Sequence, residues 1–220
     1  MLFFFKRSGE GRPHLASYVD CVTSSEHRAR AEIARYGARL WNRRLVTGTS
    51  GNLSTRLDDG DLLVTPASRS LAELEPAEMV RVDSNGNARD ASQRATSELP
   101  LHVAAYRARP DSRYVVHTHP TFCVVWSLTG RTFPQDTVGA REALGPVGWT
   151  SYRPPGSTEL AELCASVLSD GFDTLLMERH GLSTIGTSLE EAFIRTDLAE
   201  EAARIAYYAS LAGHVGKPPD

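Results

Sequence analysis

The chain has 220 residues, is 41% hydrophobic and 23% charged, and carries a formal net charge of −3. That length supplies one well-buried core, and the composition is that of a folded globular protein, not of a disordered one. The near-neutral charge gives no electrostatic case for a nucleic acid, and no run approaches the ~18 apolar residues of a membrane span, so neither kind of partner is expected.

Two further facts narrow the chemistry. The only lysines are Lys6 and Lys217, both near the ends, and a Schiff-base enzyme needs a lysine held desolvated in a pocket. Carbonyl chemistry here would therefore rely on a metal. Cys21, Cys123 and Cys164 are odd in number and widely spaced, so a reducing compartment and a role as small core fillers are expected. The apolar run in Met1-Leu2-Phe3-Phe4-Phe5-Lys6-Arg7 is too short for a signal-peptide core and precedes its charges, so a cytoplasmic location is expected.

In chain order, residues 1–22 show little pattern and read as an N-terminal arm. Thr23-Ser24-Ser25-Glu26 has the form of a capping box, which predicts a helix from near Thr23 to near Leu45. Ile33, Tyr36, Leu40 and Trp41 fall on one face of it. Thr47-Gly48-Thr49-Ser50-Gly51-Asn52-Leu53-Ser54 follows as a tight loop whose backbone N–H groups can approach a ligand. A hairpin is predicted next, with strands 52–57 and 61–65 around a two-residue Asp-Gly turn. A short helix at 70–78, a strand at 79–83 and an Asn85-Gly86 turn come after. Thr96-Ser97-Glu98-Leu99-Pro100 opens a helix to about Ala108, and strand 113–117 and helix 120–128 follow.

Residues 130–148 read as irregular, overlapping a strand predicted at 147–152. Ser157 caps a helix with Leu160, Leu163, Cys164, Val167 and Leu168 on one face. Strands at 173–178 and 182–185 precede a last helix starting at the capping box Ser188-Leu189-Glu190-Glu191, with Glu191/Arg195 and Glu200/Arg204 as pairs on its wet side. Strands alternate with helices, but hairpins break the rhythm. The expected class is α/β, with a mixed, partly antiparallel sheet covered by helices on both faces.

The chemistry centres on Tyr114-Val115-Val116-His117-Thr118-His119-Pro120. Strand side chains repeat every two residues, so His117 and His119 point the same way, at a strand end stopped by proline. Such a pair is either half of a metal site or a hydrogen-bonded core pair. His180 stands at another strand end and Glu98 at a helix start. Three histidines and one carboxylate form a Zn²⁺-type set that Fe²⁺, Mn²⁺ or Co²⁺ would also accept. Gly51, Asn52, Thr65, Thr96 and Ser97 lie at strand or helix ends, where neutral donors and backbone N–H groups hold a phosphate, or where such residues simply make turns and caps. No Walker-type lysine is present, so this is not a nucleotide P-loop.

On Thr49-Ser50-Gly51-Asn52-Leu53-Ser54, Thr65-Pro66, Thr96-Ser97-Glu98, His117-Thr118-His119 and His180-Gly181-Leu182, in that order, the chain resembles the class II aldolase/adducin family from about Arg28 to Ala212. The resemblance implies a three-layer α/β/α sandwich with a largely antiparallel sheet, filling residues 23–213 and leaving 214–220 as a tail. It implies Zn²⁺ held by His117, His119 and His180. Glu98 would be a fourth ligand at rest and the catalytic acid/base in turnover. Asn52, Thr96 and Ser97 would contact phosphate, and the protein would be a homotetramer with its sites between subunits.

The chain departs from the family at three places. Ala67-Ser68 stands where a hydroxyl residue and glycine are usual, with Ser68 a candidate replacement donor. Arg179 precedes the third histidine, where a neutral residue is commoner; it is either a carboxylate reader or a surface arginine. The 131–148 stretch, which in fuculose-phosphate aldolases supplies a proton-donating tyrosine, has Val138 at that place and no tyrosine; Asp136, Arg141 and Glu142 are its polar groups, and Tyr207 and Tyr208 stand late in the last helix. The expected activity is a divalent-metal-dependent lyase that cleaves a carbon–carbon bond of a small sugar phosphate or hydroxy-ketone through a metal-stabilised enediolate. Decarboxylation of a keto sugar acid phosphate uses the same kind of intermediate. An Fe²⁺ oxygenase or epimerase on this scaffold, or an adducin-like assembly module without catalysis, are the further alternatives.

Overall fold

The computed structural model describes residues 15–213. The first fourteen residues of the expected arm and the tail 214–220 lie outside them. Helices are α1 Leu15–Asn42, α2 Leu99–Ala108, α3 Thr121–Ser127, α4 Thr158–Ser169 and α5 Leu189–Leu211. Strands are β1 Asn52–Arg56, β2 Leu62–Val64, β3 Val80–Val82, β4 Tyr114–Thr118, β5 Val147–Thr150, β6 Thr174–Met177 and β7 Gly181–Gly186.

The strands form one seven-stranded sheet in the order β3-β2-β1-β4-β7-β6-β5. Only β5 and β6 pair in parallel; the other neighbours are antiparallel. The period of two along each strand sorts the core into two faces. Leu53, Leu63, Val116, Leu176 and Leu182 meet α1, α3 and α5. Their neighbours Leu62, Val64, Val115, Leu175 and Met177 meet α2 and α4. The result is the expected three-layer sandwich around a mixed, largely antiparallel sheet.

Several local expectations change. Helix α1 begins by Leu15, so Thr23-Ser24-Ser25-Glu26 lies inside it and not at its start. Glu26 serves instead as the anchor for Arg30 and Arg81. Ile33, Tyr36 and Leu40 are buried as expected, but Trp41 is 38% exposed. The β1–β2 hairpin closes through three residues, with Leu57 N–H bonded to the Asp61 carbonyl and Gly60 at φ +90. The predicted helix at 70–78 is two short 3₁₀ turns, Leu71–Glu73 and Pro76–Glu78, and a π turn, Ala140–Leu144, lies inside the expected irregular stretch.

Glu200 does not pair with Arg204. Its carboxylate accepts the backbone N–H groups of Phe122 and Cys123 at 2.9–3.0 Å, so it caps α3. Arg204 turns to Glu201 instead. Glu191 does pair with Arg195, at 2.7 Å. Cys123 and Cys164 are buried free thiols, as expected of core fillers. No helix among the described residues is long and apolar enough to cross a membrane.

Candidate active site and metal centre

One end of the sheet collects the chemistry. There β4 ends, β1 and β7 begin, and the short Glu178-Arg179-His180 connection joins β6 to β7. His117 is two residues on from Val115 and shares its face, toward α2 and α4. It is fully buried. Its Nδ1 lies 3.1 Å from the Leu182 carbonyl oxygen. A carbonyl only accepts, so the proton sits on Nδ1 and the Nε2 lone pair stays free.

His119 brings its Nε2 to 2.9 Å from His117 Nε2. Two ring nitrogens this close either share a proton or converge on a cation. His180 completes the group. Its ring centroid is 4.8 Å from His117 and 5.1 Å from His119, and the three ligand atoms lie within 4.8 Å of one another.

Backbone geometry forces this convergence. Arg179 adopts φ +58, a left-handed turn that aims the next residue, and its N–H donates to Ser127 Oγ at 3.0 Å. Gly181 follows because nothing larger fits. A Cβ there would stand 2.3 Å from the Thr118 carbonyl oxygen and 2.7 Å from His119 Cδ2.

Burial holds all three imidazoles neutral. His117 is pushed well below the usual histidine range by burial, reinforced by repulsion from its histidine neighbours. Burial lowers His119. Burial, then His119, pulls His180 down to about 4. Neutral imidazole is the state that ligates a metal.

Glu98 stands beside this trio as the N-cap residue of α2. It is buried, with Oε1 3.9 Å from His180 Nε2. It is adjacent to the three converging ligand atoms without being one of them. Burial raises its pKa, and a hydrogen bond from the Gly156 N–H partly opposes this. Glu98 Oε2 and His180 Nδ1 are buried without a hydrogen-bond partner. Such groups are costly to bury alone. A cation among neutral imidazoles beside a carboxylate fits this donor set.

The hydroxyl and glycine residues form a connected rim. Asn52 is buried at the start of β1, after Gly51 at φ +81. Thr65 Oγ1 accepts the Leu53 N–H at 3.2 Å, and the Thr65 carbonyl accepts the Thr96 N–H at 3.0 Å. Thr96 Oγ1 in turn accepts the Glu98 N–H at 3.2 Å. Ser97 is exposed on the same turn. Ser68 is exposed on the loop beyond and adopts φ +59, the conformation that a glycine would hold more easily. Val138 is 70% exposed, and Arg179 points a largely exposed guanidinium 3.4 Å from Glu178. Tyr207 and Tyr208 pack on Phe122 of α3 at 5.5 and 5.7 Å between ring centroids.

Two positions escaped the sequence reading. Gly156 presents its N–H to Glu98, and a Cβ there would meet the Ser97 carbonyl at 2.8 Å. Its residue types, Pro154-Pro155-Gly156, mark a turn but do not point to Glu98. His102 is fully buried against Asn52. Its signal was the spacing from Glu98, four residues along the same helix face.

Comparison with known proteins gives the family. Residues 31–207 match the model of the class II aldolase and adducin N-terminal domain family. The L-fuculose phosphate aldolase of Methanococcus vannielii is 34% identical over 166 residues, covering 76% of this chain and 88% of that protein. The 3-oxo-tetronate 4-phosphate decarboxylase of Pectobacterium atrosepticum is 32% identical over 194 residues, covering 86% of this chain and 88% of that protein. The structure of L-fuculose-1-phosphate aldolase from Thermus thermophilus superposes with a TM-score of 0.75 at 28% identity, covering 86% of this chain and 100% of that one. The histidine-lined strand ends thus sit in a fold and sequence shared with named aldolases and decarboxylases, and the chain belongs to the class II aldolase and adducin family, among its enzymes.

Proposed function

We propose that the protein is a divalent-metal-dependent lyase that cleaves a carbon–carbon bond of a small sugar phosphate in the aldolase manner. The observation that carries this reading is the convergence of three neutral imidazoles beside a buried carboxylate with an unpartnered oxygen. His117, His119 and His180 would hold Zn²⁺, with Glu98 as a fourth ligand at rest; Fe²⁺, Mn²⁺ and Co²⁺ are chemically acceptable alternatives. When bound, such a cation supplies Lewis acidity toward a carbonyl and its neighbouring hydroxyl.

The chain's own residues do the rest. Glu98 moves the proton at the reacting carbon or hydroxyl; burial raises its pKa and so favours proton uptake. Asn52, Thr65, Thr96 and Ser97, with the Gly51 backbone and Ser68, hold the phosphate near the N-terminus of α2, where the helix dipole favours an anion. A homotetramer with its sites at subunit interfaces belongs to this reading, and the exposed Tyr207 and Tyr208 beside Phe122 offer an aromatic surface to a neighbouring subunit. The free Cys123 and Cys164 thiols support a cytoplasmic setting.

A second reading is decarboxylation of a keto sugar acid phosphate. The stretch 131–148 has no tyrosine to protonate a leaving aldehyde oxygen, and Val138 there is exposed. Decarboxylation releases CO₂ and needs no such donor. A screen of ketose phosphates and keto acid phosphates on metal-loaded enzyme decides between the two. Aldehyde release supports the aldolase, CO₂ release the decarboxylase, and neither product from any phosphorylated substrate overturns both.

A further inference from the structure

We propose that His102 is a positioning residue for the phosphate site: it fixes the Asn52 amide so that the NH₂ group, and not the carbonyl oxygen, faces the anion. The inference rests on the reading of Asn52 as a phosphate contact.

The geometry is a chain of buried polar groups running from α2 to the head of β1. His102 Nε2 lies 2.5 Å from Asn52 Oδ1. His102 Nδ1 lies 2.6 Å from Ser54 Oγ, which is 2.8 Å from the Tyr106 hydroxyl. His102 and Ser54 are fully shielded from solvent, and Asn52 and Tyr106 nearly so.

Chemistry orders the protons along this chain. A side-chain carbonyl oxygen only accepts, so His102 Nε2 carries the hydrogen that faces Asn52. Burial pulls the His102 pKa down to about 3, so the imidazole is neutral and has one hydrogen. His102 Nδ1 must then accept from the Ser54 hydroxyl, and the Tyr106 hydroxyl shares its one hydrogen between Ser54 Oγ at 2.8 Å and the Arg113 carbonyl oxygen at 3.3 Å. Donors thus point from the helix toward Asn52. That direction leaves the Asn52 amide nitrogen free for a ligand. With the amide reversed, its oxygen would face the phosphate oxygens and repel them. The histidine touches no reacting atom; it acts through Asn52.

The test measures the dissociation constant of inorganic phosphate on metal-loaded wild type, Asn52→Ala, His102→Asn, His102→Gln and the double variant Asn52→Ala/His102→Asn. Loss of a hydrogen bond to a charged ligand costs on the order of tenfold in affinity. His102→Asn keeps a group near the Nδ1 position but removes the donor to Asn52, and should weaken phosphate binding about as much as Asn52→Ala. The double variant should be no weaker than Asn52→Ala alone. In His102→Gln the amide nitrogen takes the place of Nε2, so affinity should stay within about twofold of wild type.

Wild-type affinity in His102→Asn overturns the inference while the reading of Asn52 stands. So does a loss in the double variant equal to the product of the single losses, because a purely structural effect does not pass through Asn52. Unchanged affinity in Asn52→Ala overturns the inference and the reading of Asn52 together. If His102→Asn does not fold, nitrogen NMR of the wild-type His102 ring reads the tautomer directly. A proton on Nε2 supports the assignment, and a proton on Nδ1 overturns it.

Discussion

Asn52 sits directly opposite His117 across the β1–β4 ladder. That pairing joins the proposed phosphate contact to the strand of the proposed metal site at a fixed register. A slip of one residue in either strand would send that strand's side chain to the other face of the sheet, into the apolar layer beneath α1 and α5. The apolar alternation of Leu53 and Val116 against that layer prevents the slip. Packing on one face of the sheet therefore holds the chemistry on the other.

Glu98→Gln should lower turnover by about 10²–10⁴-fold, the usual weight of a general acid/base, while metal content stays that of wild type. The amide keeps the size and one acceptor oxygen but cannot exchange a proton. Steady-state kinetics beside elemental analysis of the same preparation check both halves. Full activity in this variant would remove Glu98 from its assigned role.

Gly181→Ala should damage the proposed metal site without replacing a ligand. The new Cβ would lie 2.3 Å from the Thr118 carbonyl and 2.7 Å from His119 Cδ2, so the β7 start must move away or the His119 ring must turn. Overpacking of this kind costs about 1–3 kcal/mol. Thermal unfolding should show that loss, and metal titration should show a weaker site. Unchanged metal affinity would mean that His119 is not fixed by this contact.

The metal-free protein should weaken on mild acidification. Burial pulls His102 down to about 3 and His180 to about 4, from an ordinary value of 6.5. Between those values and 6.5 the unfolded chain binds protons that the folded chain refuses. Stability is therefore complete above pH 6.5 and falls as pH drops toward 4, with a slope of up to about 1.4 kcal/mol per pH unit for each histidine. Urea midpoints of chelator-treated protein at pH 7.5 and pH 5 measure this, and His102→Gln should show a shallower fall. Equal midpoints at the two values would contradict neutral burial.

Much of this site could be read from the sequence because its signals are local. His117 and His119 share a strand face by the period of two, and Thr96 and Glu98 lie in one helix start. The fold class followed from alternating strands and helices broken by hairpins. What stayed hidden depends on pairing between distant segments. His102 reads as one more residue of an apolar helix until β1 places Asn52 and Ser54 against it. Gly156 reads as a turn glycine until the loop before α4 brings it to Glu98. Glu200 fitted a helix-surface pair, yet α3 lies close enough to recruit it as a cap. The start of α1 was misplaced because the capping pattern of Thr23–Glu26 is purely local, and the helix runs back through it to Leu15.

The most direct test of the central claim is the metal content of protein purified without chelators, compared with that of His117→Ala. The three-histidine site predicts about one divalent metal per chain in the wild type and a nearly empty His117→Ala variant with no activity. A wild-type protein that carries no metal, and neither binds nor gains activity from added Zn²⁺ or Fe²⁺, would contradict it.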